Sequence, residues 1–138
     1  MRRVLYAILV MGFLGTGTEL LLLGHYEDAW QWTPLVLIGL SLVVVAWRSF
    51  DRGSASLVAF RAVMALSAAS GLLGIYLHYR GNVEFELEMT PELRGFELFA
   101  EAMTGATPAL APGAMALLGL IGFAAELRAA STVKELRL

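Results

Sequence analysis

The chain has no cysteine, and that absence removes a block of chemistry at once. Disulfides, zinc–thiolate sites, iron–sulfur ligation and CxxC redox exchange all require thiols. Charge is scarce too: 16% of the 138 residues are Asp, Glu, Lys or Arg, against roughly 25% in an ordinary soluble domain. Strong catalytic signatures are missing, with no HExxH, no ExxH pair and no P-loop. A chain of net charge −2 is not expected to take nucleic acid as a partner.

What fills the space is apolar, and it comes in long runs. Residues 29–47 and 102–125 carry no charge at all, and 18 or more such residues read as a membrane-spanning helix. Val4 to Gly24 is broken only by Glu19, and Ser56 to Tyr79 by Arg61, with His78 near its end. The expected fold is therefore an all-α integral membrane protein. It would be a single domain of four transmembrane helices in an up-and-down bundle, with spans at about residues 4–24, 33–48, 57–79 and 108–127. Met1-Arg2-Arg3 before an apolar run, with Gly15 and Gly17 following, also describes a signal peptide covering residues 1–17. Resumption of the run at Leu20–Leu23 favours a retained helix.

Alternating spans sort the charges. Arg2, Arg3, Arg48, Arg52, Arg61, Arg128, Lys134 and Arg137 fall on one side with Asp51, Glu126 and Glu135; Arg80 and Arg94 fall on the other with nine acids. Cationic flanks stay cytoplasmic, so both termini are expected inside a plasma (inner) membrane. Trp30, Trp32, Tyr76 and Tyr79 suit an outer aromatic belt, and Trp47, Phe50 and Phe60 an inner one.

The longest polar excursion, residues 80–107, is the expected outer region. Gly81-Asn82 is a turn dipeptide. Val83 to Met89 alternates apolar and acidic residues, the period of a one-sided strand, which would need pairing along its edges. Thr90-Pro91-Glu92 then opens a short amphipathic helix with an apolar arc of Leu93, Phe96, Phe99, Ala100 and Met103, suited to a lid over the bundle. Thr33 and Pro34 are expected to start the second span. His25-Tyr26 and His78-Tyr79, each followed by a Thr-Pro, also suggest two parallel hairpins.

Two helical stripes point inward on this reading. Gly12, Gly15, Thr16, Glu19 and Tyr26 share one face of the first span, and Ser67, Gly71, Gly74 and His78 one face of the third. Small residues let another backbone approach, so Glu19 is expected against protein and His78 at the outer mouth. A membrane-embedded carboxylate is a functional candidate by default. Glu19, His25, Asp28, His78 and Glu84 together make a candidate metal set, suited to a divalent ion such as Zn, Mn, Fe or Ni. Haem b between His25 and His78 is the lesser alternative.

Three function classes follow. The first is a non-enzymatic accessory or scaffold subunit, embedded in the bilayer, that docks a second copy or another membrane subunit through its acidic outer region. The second is a small carrier or sensor of a cation or proton at Glu19, His25 and His78. The third is a membrane enzyme or b-type haem protein, which lacks a motif.

Overall fold

The computed structural model describes residues 1–135, with side chains as far as Leu127. It is all-α, with five helices: α1 (Arg2–Leu22), α2 (Ala29–Phe50), α3 (Ser54–Met89), α4 (Gly95–Thr104) and α5 (Gly113–Glu135). Among the described residues three helices, α1, α2 and α3, are long and apolar enough to cross a membrane. This corrects the expected bundle of four spans. The charge-free run from residue 102 to 125 is not one helix: α4 closes at Thr104, turns occupy the stretch around Pro108 and Pro112, and α5 starts at Gly113. Its apolar described part, Gly113–Leu127, falls short of the ~18 residues a span needs.

Contacts run α1 to α2, α2 to α3, α3 to α5 and α5 back to α1, closing a ring, while α4 packs chiefly on α3. Small residues on α3 and α5 bring those two backbones together. A Cβ added at Gly71 would sit 2.3 Å from the Ala116 nitrogen, and one at Gly119 would sit 2.5 Å from the Met64 carbonyl oxygen. These contacts make α5 antiparallel to α3. The expected α3 stripe is thus a packing face, with Ser67 and Gly71 buried. Ser67 also shares a buried hydrogen bond of 3.2 Å with Ser41 of α2.

The face expected on α1 is not the one that packs. Tyr6, Leu9, Phe13 and Gly17 are its buried residues. Gly12 does meet Leu118, but Gly15 looks into open space and Glu19 is exposed. On a 3.6-residue helix Gly15 and Glu19 lie more than about 100° from the buried stripe. Bulky Leu9 and Phe13 bury more apolar area than a glycine face does, and they set the rotation.

Three further expectations change. Phe60 is fully buried and stacks on Tyr6 with ring centroids 5.7 Å apart, so it belongs to the core and not to an aromatic belt. α2 begins at Ala29 with Asp28 as N-cap, its Oδ1 accepting from Trp30 N at 2.8 Å and Gln31 N at 3.0 Å, and Pro34 lies inside the helix. The strand is absent: α3 runs through Gly81-Asn82 to Met89. Once a helix is nucleated each added residue extends it cheaply, and Glu, Leu and Met are good helix formers. Arg80 Nε and Glu84 Oε1, at 2.9 Å one turn apart, support the continuation. A lone strand would have offered only unpaired edges. The parallel hairpins go with it, since His25 lies in a connection and His78 inside a 36-residue helix.

Candidate functional site at the two ends of the ring

The helices place polar groups at two ends. At the first end, Glu126 of α5 is 1% exposed. Its Oε1 accepts from the Tyr6 hydroxyl of α1, and its Oε2 accepts from Arg48 Nη2 of α2 at 3.1 Å. Arg2 Nη1 stands 3.7 Å from Oε1, and its guanidinium lies 5.5 Å from the Tyr6 ring centroid. Arg48 Nη1 donates onward to the Asp51 carbonyl at 3.3 Å, the Gly53 carbonyl at 3.2 Å and Ser56 Oγ at 3.2 Å. The Ser56 hydroxyl contacts the same two carbonyls at 3.0 Å. One carboxylate and one guanidinium therefore tie α1, α2, α5 and the start of α3. Arg48 Nε is buried without a hydrogen-bond partner among the described residues.

At the opposite end α1 closes on Gly24, whose φ of 67° lies in the left-handed region that glycine adopts without strain. His25 N donates to the Leu20 carbonyl at 2.9 Å, which fixes where its side chain starts. The His25 ring lies beside that of His78, tilted by 53°, with centroids 6.3 Å apart. His78 Nδ1 lies 3.3 Å from the Pro108 carbonyl oxygen. Burial and the neighbouring His78 push the His25 pKa below the ordinary imidazole value, with Asp28 opposing them.

One turn beyond His78, Asn82 is buried inside α3. Its amide donates to the Ala102 carbonyl at 2.8 Å and the Thr107 carbonyl at 2.6 Å, and its Oδ1 accepts from Thr107 N at 3.2 Å and Thr107 Oγ1 at 2.7 Å. Asn82 thereby clamps the end of α4 and the chain leading to α5 onto α3. Tyr79 and Phe99 add a ring contact at 5.9 Å. The expected apolar arc of α4 is rotated: Ala102 is buried, while Phe96 is 81% exposed.

The five candidate metal residues divide. His25 and His78 are brought together, with Asp28 near His25. Glu19 lines a shallow groove on the outside of α1 with Leu14, Gly15, Thr18, Leu22 and Leu23. Glu84 is exposed and paired with Arg80. Among the described residues no group of three or more His, Cys, Asp or Glu side chains is placed to hold a metal ion. Tyr6, Arg48, Glu126 and Asn82 were not among the candidates. Asn82 had a signal: it continues the helical stripe Ser67, Gly71, Gly74, His78. Glu126 and Arg48 had none beyond flanking apolar runs.

Compared with protein-family models, curated proteins and solved structures, the chain matches none.

Proposed function

We propose that this protein is a non-enzymatic accessory subunit of a plasma-membrane assembly, and that it docks a partner through the α3 extension and α4. The observation that carries the reading is the length of α3. Its 36 residues span about 54 Å, well beyond a ~30 Å hydrocarbon core. The segment past Tyr79 and the folded-back α4 form a projecting hairpin. Phe85, Met89 and Phe96 are exposed on it among Glu84, Glu86, Glu88, Glu92 and Glu97. Apolar anchors rimmed by one sign of charge suit a protein partner with a basic face.

Orientation follows from the charges. Arg2, Arg48 and Glu126 meet at one end of the ring, and Arg3 and Arg52 flank the same helix ends, so that end is cytoplasmic on the positive-inside rule. The hairpin then lies outside. The test is the double substitution Glu88→Lys, Glu92→Lys, compared with wild type on native gels of mildly solubilised source membranes. The wild-type chain is expected in a complex larger than itself, and the double variant at the mass of the chain alone. An unchanged complex in the variant would overturn the reading.

A further inference from the structure

We propose that His25 and His78 form a two-imidazole site for one borderline divalent transition-metal ion, of the class of Zn(II), Ni(II) or Cu(II), at the end of the ring that carries the hairpin. The inference stands apart from the docking reading, since the histidines lie on the ring and not on the hairpin's exposed face.

Three features support it. The first is reach. With metal–nitrogen bonds of about 2.0–2.1 Å, two imidazoles on one ion have ring centroids at most ~6.4 Å apart. The observed 6.3 Å stands near that limit, which is reached with the two nitrogens trans across the ion, and a tetrahedral angle requires the rings to close by about 1 Å. The rings also come from separate elements, the cap of α1 and the body of α3, so an ion between them would cross-link the diagonal of the ring.

The second feature is the carbonyl behind His78. Metal-bound histidines almost always donate their other ring N–H to a carboxylate or carbonyl, which fixes the tautomer. The Pro108 oxygen stands 3.3 Å from His78 Nδ1. A proton on Nδ1, donated to that oxygen, leaves the Nε2 lone pair free. Pro108 belongs to the irregular chain that Asn82 clamps, so the clamp and the histidine position one another.

The third is the donor set. Asp28 Oδ1 is already engaged with α2. The chain then supplies two nitrogens, with water or an anion completing the sphere. Absence of thiols favours these ions over Cu(I).

The test uses the full chain without a polyhistidine tag, chelator-stripped in nanodiscs and titrated with Zn(II) and Ni(II) by calorimetry. One ion per chain is expected. His25→Gln and His78→Gln should each weaken binding at least about tenfold, and the double variant should bind no more tightly than either single one. Circular dichroism of each variant shows that it is folded. Failure to bind at one ion per chain, or unchanged affinity in folded single variants, would overturn the proposal.

Discussion

The two ends of the helical ring solve opposite problems. At the Glu126 end Arg48 and Glu126 are buried and bonded to each other or to backbone carbonyls, leaving Arg48 Nε as the buried unpaired atom among the described residues. At the His78 end two part-exposed imidazoles stand with ring centroids 6.3 Å apart, a buried Asn82 clamps the chain, and α3 runs on to Met89 with α4 packed against it. A buried and nearly satisfied network rigidifies the helices that it joins. Open groups with spare hydrogen-bonding and ligand capacity leave room for something to bind. The first end fastens the fold, and the second is where the proposed partner and metal ion would meet it.

The largest expected effect breaks the fastening. Glu126→Ala leaves Arg48 buried beside an empty site, and removing one partner of a buried pair costs about 3–5 kcal/mol. Thermal unfolding in detergent should show a large drop in Tm, and the double variant Arg48→Met, Glu126→Leu should recover much of it. Glu97, exposed on α4, provides the contrast: Glu97→Ala should change stability by less than about 0.5 kcal/mol.

Next come the glycines. Gly71→Ala drives a methyl group into the α5 backbone, where overpacking costs about 1–3 kcal/mol. Gly15→Ala meets open space and should be neutral or stabilising by up to about 1 kcal/mol. Equal effects at the two positions would contradict the rotation assigned to α1.

The smallest effect belongs to His25. Its pKa is lowered in the folded chain by burial and by His78, so the unfolded chain takes up its proton first. Stability from this group is complete above the unfolded value of about 6.5. It is lost as pH falls below that value and through the depressed folded pKa. Melting curves of wild type should decline over that window more steeply than those of His25→Gln. Parallel declines would remove His25 as the cause.

Much of this was legible from the residues, and the losses have physical reasons. Apolar run length gave the helical class and the first three long helices. It overcounted the last because a charge-free sequence does not say where Gly105, Pro108 and Pro112 interrupt the backbone. The alternation from Val83 to Met89 has a strand's period, yet helix extension from a preformed α3 prevailed, as the stripe reaching Asn82 could have signalled. His25 and His78 were legible as near one another because each follows an apolar run expected to end on the same side, although α3 continues well past His78. Glu19 was misplaced because a stripe of small residues marks a possible close approach, while the larger Leu9 and Phe13 decided which face packs. The bond between Arg48 and Glu126 joins residues 78 apart in sequence; no local pattern encodes it.

The division of labour between the ends is tested most directly by matched photo-crosslinking in native membranes. Phe96 on the hairpin and Phe50 at the Glu126 end are both highly exposed, at 81% and 91%. A photoreactive residue at Phe96 is expected to give one discrete protein adduct, and the same residue at Phe50 to give none. A protein adduct at Phe50 with none at Phe96 would contradict the account.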